Sequence, residues 1–293
     1  MKKVIYGLSC LIAAGALLTA CGGKKSTDDK KTNSDSTKTE NAVPEYKELD
    51  KAQVDISKYT ADKDGYITLF DGKSTEGWRG YGKDNLPGKW SIDNGALKIS
   101  GAGKGEAQEK DGGDIIFAHK FKNFILELEW KVAKGSNSGI FYLAQEIEAK
   151  DKDGNMKMEP IYISAPEYQV LDNVNHVDAM AGKDGNRQSA SLYDMIPAKP
   201  QNSKPFGEWN KAEIVVSKGT VFHKQNGETV VEYHLWTPEW TKMLEESKFS
   251  KEKWPIAFEL LNNCGGPNRE GYIGLQDHGD DVWYRNIRIK VLD

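Results

Sequence analysis

Three short stretches bring together side chains able to do proton chemistry. In PEYQVLDN (166–173) Glu167 and Gln169 fall in phase on an extended chain, so a carboxylate and a carboxamide project side by side. That pairing suits the holding of vicinal hydroxyls or the placing of a general base, and equally the wet face of an edge strand. In GYIGLQDHGDDVWYRNIRIK (271–290) the junction of two strand-like runs concentrates Gln276, Asp277, His278, Asp280, Asp281 and Arg285. Alternation puts Gly274, Gln276 and His278 on one face and Ile273, Leu275 and Asp277 on the other. Histidine moves protons near neutral pH. The donors and acceptors around His278 set it apart from His119, His176, His223 and His234, which read as structural. Asp280 and Asp281 could equally serve to charge a hairpin tip. Trp283, Arg285, Ile287 and Ile289 share a phase, so core-facing isoleucines would carry Arg285 inward, to a structural ion pair or to a cleft floor.

The third stretch, GSNSGIFY (135–142), sets Asn137 and Ser138 before a strand whose Gly139 permits close approach of a ligand or another chain. A plain turn followed by a strand accounts for it as well. Upstream, Glu127 and Glu129 alternate with Leu126, Leu128 and Trp130, either as a solvated face or as the lining of a concave sheet with a polar ligand. Metal and phosphate chemistry leave weaker traces. No HxH, HExxH or CxxC spacing occurs, and no glycine-rich phosphate loop. DKDGN (151–155) starts like a calcium loop but lacks the acidic residue that closes one, and so reads as a turn. Cys264 lies in the turn-rich NNCGGPN with no histidine close in sequence to activate it.

Short alternating runs ended by glycine, asparagine and aspartate must position these groups. They include YITLF (66–70), WSIDNGALKIS (90–100) turning at Asn94-Gly95, and three strands within 114–145. EYQVLD (167–172) and the run 209–235, which turns at Asn226-Gly227, continue the pattern. The pattern predicts an all-β fold, a sandwich of two packed antiparallel sheets. One short helix is expected in TPEWTKMLEESKFSKEKW (237–254), where Thr237 can cap, Pro238 suits the first turn, and Trp240, Met243 and Leu244 share a face. The polar segment Glu146–Pro166 is expected to be a long loop at the rim.

The N-terminal end reads as a lipoprotein signal over residues 1–20. Lys2 and Lys3 precede an uncharged run from Val4, which ends in Leu18-Thr19-Ala20-Cys21. In that lipobox arrangement Cys21 becomes the lipidated first residue, anchoring the chain to a membrane without spanning it. An exported lipoprotein, on the periplasmic or cell-surface face of the outer membrane, is the expected setting. With Cys10 removed and Cys21 acylated, only Cys264 remains, so no internal disulfide forms. Residues 21–64 are rich in Lys, Asp, Ser and Thr and read as a disordered tether, leaving 65–293 as one domain. The net charge of −4 carries no basic stripe and argues against nucleic acid as a partner.

The motifs taken in order resemble the 3-keto-disaccharide hydrolase domain family, common in Bacteroidota. The matching stretches are LFDGKSTEGW (69–78), NSGIFY, EYQVLDN, SLYD (191–194, with Tyr193), GEWN (207–210), HKQNGETVVEY (223–233) and GLQDHGDDVWYRNIRIK (274–290). They span essentially the whole of 66–292. The resemblance implies a concanavalin-like jelly roll with a sugar site on one sheet, and a glycoside substrate already oxidised to a ketone at C3. Two features depart from the family's pattern, the Glu146–Pro166 segment and the NNCGGPNRE loop, so its leaving-group preference does not carry over.

A C3 ketone acidifies the C2 proton, so a base can form an enolate, the C1 oxygen can leave, and water can add. For that chemistry Glu167 or His278 is expected to serve as base, with Arg285 and Gln169 steadying the enolate or sugar hydroxyls. Asn137, Asp172 and Asp277 would position substrate or orient His278, with Gln276, Glu129 and Tyr193 as further binding residues. No cofactor is required; a divalent ion across the ketone and adjacent hydroxyl would do equivalent electrostatic work. A non-catalytic, lectin-like binding module and a conventional two-carboxylate glycosidase are the competing classes.

Overall fold

The computed structural model describes residues 42–101 and 111–293. The expected signal segment, Cys21 and the expected tether up to residue 41 lie outside the described residues. Two antiparallel sheets form the expected sandwich. The larger runs in the order Glu228–His234, Thr220–Gln225, Asn210–Ser217, Phe124–Val132, Val282–Val291, Ala96–Ile99 and Trp90–Asp93, with Ile67–Phe70 also paired to Val282–Val291. The smaller runs Glu167–Leu171, Asn137–Ala144, Gly271–Leu275, Ile115–Phe121 and Trp78–Gly80. Both Asn-Gly turns close hairpins as expected, Asn94 and Asn226 each at φ 50° and the following glycines also left-handed.

Alternation sorts each strand between the core and the outside. Ile140, Tyr142, Tyr168, Val170, Ile273 and Leu275 of the smaller sheet pack in one cluster with Leu126, Leu128, Trp130, Ile214, Tyr284 and Ile287 of the larger. The intervening residues of the smaller sheet, among them Asn137, Gly139, Glu167, Gln169 and Gly274, therefore face away from that core. They are nevertheless buried, because other elements lie over them. A second cluster on this outer side joins Tyr81, Ile116, Phe141, Ile161 and Tyr272.

Three expectations are corrected by the cover. Residues 146–166 are not a loop throughout: Ile147–Lys150 pairs with Met156–Met158 across the turn at DKDGN, and a 3-10 turn follows at Ile161–Ile163. Glu146 anchors the segment, fully buried and paired in bidentate fashion with Arg79. Residues 42–64, expected as tether, contribute Tyr46–Glu48 as the third strand of that small sheet, and Val43, Val54, Ile56 and Tyr59 pack against the core. Among the described residues there are also two helices rather than one. α1 (Pro238–Glu246) is capped by Thr237 as expected, Trp240 N–H donating to its Oγ1. α2 (Pro255–Asn262) was hidden in sequence because PIAFELLN is too short and too uniformly apolar to show a helical period.

The phase of Val282–Val291 is the fourth correction. Against Phe124–Val132, Arg285 pairs with Glu129 while Arg288 pairs with Glu127, so three steps on one strand match two on the other. The extra residue is Asn286, at φ 53°. This bulge inverts the alternation. Val282 and Tyr284 are buried before it, Ile287 and Ile289 after it, and Arg285 points out of the sandwich.

Candidate active site

The outer face of the smaller sheet carries a narrow cleft lined by Asn137, Tyr162, Glu167, Gln169, Tyr193, Lys248, Gln276 and His278. Its floor is set by strand register: Glu167 lies opposite Phe141 and Gln169 opposite Gly139, so the Glu167 carboxylate reaches across the bare face of Gly139. Gln276 enters from just beyond Gly271–Leu275, its backbone N–H donating to Gly139 O at 3.0 Å. Gln169 is 1% exposed, and its Oε1 accepts from Val170 N–H at 2.9 Å, which orients the amide. Asn137 is 3% exposed, and its Oδ1 has no hydrogen-bond partner among the described residues. A buried acceptor without a donor is a costly arrangement unless a ligand completes it.

The walls come from loops. Tyr193 donates its hydroxyl to Asp178 Oδ2 at 2.8 Å. Burial, with the nearby Glu167 charge, pushes its phenol well above the ordinary tyrosine range, so it stays protonated. Lys248, on the loop after α1, places Nζ 4.4 Å from the centre of the Tyr193 ring and 5.4 Å from that of Tyr162. His278 sits on the turn after Gly271–Leu275, with Nδ1 3.9 Å from Asp280 Oδ2 and its ring edge-on to His176 at 5.8 Å.

The acids of the QDHGDD turn hold the turn itself. Asp277 is 2% exposed and accepts from Gly113 N–H at 2.8 Å and Gly279 N–H at 2.9 Å. Asp280 accepts from Asn137 N–H at 3.0 Å and Asp281 from Gly101 N–H at 2.7 Å. Asp277 thus fixes the loop that presents His278. Asp172 does the same for the neighbouring loop, accepting from Gly135, Val174 and Asn175 N–H groups. Burial opposes its charge, but these hydrogen bonds outweigh it and hold the carboxyl below its ordinary value.

Two residues expected here lie elsewhere. Arg285 and Glu129 form an ion pair at 2.6 Å on the outer face of the larger sheet, where the guanidinium stacks on Trp209 at 4.0 Å. That face has a larger hollow, lined by Glu127, Glu129, Lys211 and Arg288 among others. Its charges are spent on one another: Arg288 Nη2 holds Glu127 at 2.8 Å, and Lys211 lies 3.4 Å from the same carboxylate. The smaller cleft, with an orphaned acceptor beside a carboxylate and an imidazole, is the better candidate. Tyr162 and Lys248 were missed. Tyr162 fell in the supposed rim loop, and nothing in the local sequence marks Lys248.

His176, His278 and Asp280 bring ligand atoms within 4.8 Å of one another and could hold a metal ion. His176 is held below its ordinary pKa by burial and by His278, so it presents a neutral ring. Its Nδ1, however, already accepts from Asp178 N–H at 3.1 Å, which places the ring proton on Nε2. An ion must therefore displace that hydrogen bond or turn the ring.

A family model described as a 3-keto-alpha-glucoside-1,2-lyase-like domain matches residues 65–290. A protein of Bacteroides thetaiotaomicron named 3-keto-disaccharide hydrolase is 66% identical over 293 residues, covering 100% of both chains. Two crystal structures from Parabacteroides distasonis, assigned only provisionally as glycosyl hydrolases, are similar with TM-scores of 0.61 and 0.52 at 26% and 25% identity. Each covers 78% of this chain, and 95% and 99% of the respective structures are matched.

Proposed function

Because this chain belongs to the 3-keto-alpha-glucoside-1,2-lyase-like domain family, we propose that it is a glycoside-cleaving enzyme whose substrates carry a ketone at C3 of the sugar. The 66% identity to a protein named 3-keto-disaccharide hydrolase supports that class of substrate. The observation that carries the reading is the unpartnered, buried Oδ1 of Asn137 in the same cleft as Glu167 and His278. A sugar hydroxyl donating to it would relieve an orphan worth about 1–3 kcal/mol.

In this reading Glu167 removes the C2 proton, and the C–H electrons pass into an enolate with its charge on O3. Re-forming the ketone makes the C1–C2 double bond and breaks the bond from C1 to the glycosidic oxygen, which His278 protonates. Water then adds at C1 and a proton returns to C2, so the net change is hydrolysis. Glu167 suits the base because its carboxylate is rooted on the sheet floor; His278 suits the acid because its imidazole lines the same cleft on a turn that its neighbours hold in place. Gln169 and Gln276 would hold hydroxyls. A divalent ion held at His176, His278 and Asp280 would supply positive charge to the ketone instead, with His278 then a neutral ligand and water the proton source for the leaving oxygen. We place the protein outside the inner membrane, anchored through Cys21.

The test is to incubate the purified protein with a 3-keto-glycoside and with its unoxidised parent, with and without chelator. Aglycone release from the ketone alone is expected. Survival of both substrates, or equal cleavage of both, rules the reading out. Loss of release in chelator, restored by added divalent ion, assigns the ion a role.

A further inference from the structure

An enolate needs a positive charge or strong donors within reach of O3. Arg285, which the sequence offered for this, is turned away by the bulge at Asn286 and spends its charge on Glu129. The cleft contains another cation. Lys248 lines it together with Glu167, Gln169 and His278, on the wall above the sheet floor.

The position of Lys248 is built. Its backbone N–H donates to Asp194 Oδ2 at 2.8 Å, and Asp194 is itself gripped by Arg187 Nε at 2.7 Å. Its neighbours Ser247 and Phe249 are buried, at 4% exposed or less. The stretch is carried there by α1, whose Trp240 stacks on Tyr233 and donates its indole N–H to Leu261 O in α2. The ammonium lies near three aromatic rings, Tyr193 at 4.4 Å, Phe249 at 5.0 Å and Tyr162 at 5.4 Å. Rings attract a cation through their faces without neutralising it. The ammonium therefore keeps its full charge on the wall of the cleft, where an oxyanion formed beside Glu167 would meet it.

We propose that Lys248 is the catalytic residue that stabilises the enolate oxygen, resting on the elimination reading above. As Glu167 takes the C2 proton and charge builds on O3, the ammonium donates a hydrogen bond to that oxygen. It keeps its proton throughout, and when the ketone re-forms the interaction relaxes. No oxidant or reductant enters the step.

The test compares the wild-type protein with Lys248→Met, Lys248→Gln and, as a control from the opposite sheet, Arg285→Met. Three quantities are read: kcat and KM for cleavage of a 3-keto-glycoside, solvent-deuterium exchange at C2 of that substrate by NMR, and the thermal midpoint. Lys248→Met is expected to lower kcat by about 10²–10³-fold, the range for loss of one oxyanion donor, with KM changed far less. Exchange at C2 should fall in parallel, and Arg285→Met should stay within about threefold of wild type. Cleavage within threefold of wild type in both Lys248 variants overturns the proposal. So does lost cleavage with exchange retained, which makes Lys248 an acid for the leaving group, or a raised KM with kcat intact. If Lys248→Met melts early, Lys248→Gln, similar in length and polar, is judged by the same criteria. A wild-type protein inert on 3-keto-glycosides fails the underlying reading instead, which separates the two failures.

Discussion

The carboxylate of Glu167 lies so close over Gly139 of the adjacent strand that a Cβ at 139 would collide with Oε1. Gly139 has no left-handed φ, so the contact, rather than backbone freedom, is what asks for glycine. Gly139→Ala should push the carboxylate from its place and reduce kcat on a 3-keto-glycoside by about a hundredfold, the cost of a displacement near 1 Å. Its thermal midpoint should move little. An alanine variant with wild-type turnover would dissociate Glu167 from the chemistry.

Arg79 and Glu146 form a buried bidentate pair at 2.5 and 2.7 Å, and Glu146 also accepts from Gly82 N–H at 2.6 Å. Removing one partner strands the other charge. Glu146→Ala should therefore cost about 3–5 kcal/mol in chemical denaturation, although it lies outside the cleft. A loss below about 1 kcal/mol would mean that water reaches the guanidinium.

His223 sits between the sheets, where Nε2 meets the Tyr142 hydroxyl at 2.6 Å and Nδ1 meets Ala190 O at 2.9 Å. Those partners define a neutral ring with its proton on Nδ1. Burial drives its pKa down to about 4, against 6.5 for a free histidine, with the Ala190 contact opposing only in part. A depressed histidine pKa means that the unfolded chain binds more protons between those values. The contribution is complete above pH 6.5 and is lost as pH falls towards 4, about 3 kcal/mol in all. Melting curves across this window should show the fall, and His223→Gln should flatten it. A variant with the wild-type slope would place the acid sensitivity elsewhere.

Cys21→Ser should shift the protein from the membrane fraction to the soluble one and abolish incorporation of labelled fatty acid. Membrane retention of the serine variant would refute the lipid anchor.

The site was legible where local spacing is the whole determinant. Glu167 and Gln169 project together because they are two apart on a strand, and Gln276 shares the outer face with Gly274 for the same reason. Asp172 and Asp277 were visible as polar residues in loops, but their roles in holding those loops depended on N–H groups at Gly135, Gly113 and Gly279. Tyr162, Lys248 and His176 reach the cleft region from chain segments with no periodic relation to the sheet, so no pattern could have grouped them.

The sequence by itself determined most strands of the two large sheets, both Asn-Gly turns, the Thr237 cap and the family, because each depends on residues within one turn or one strand, or on motif order. Only the tertiary structure decided which polar groups meet. A side chain's face follows from a count of two along the strand, and one extra residue at Asn286 reverses that count, sending Arg285 to the far surface. Convergence of a strand, a turn and the loop after α1 on one cleft is set by packing between distant segments, and local spacing carries no information about it.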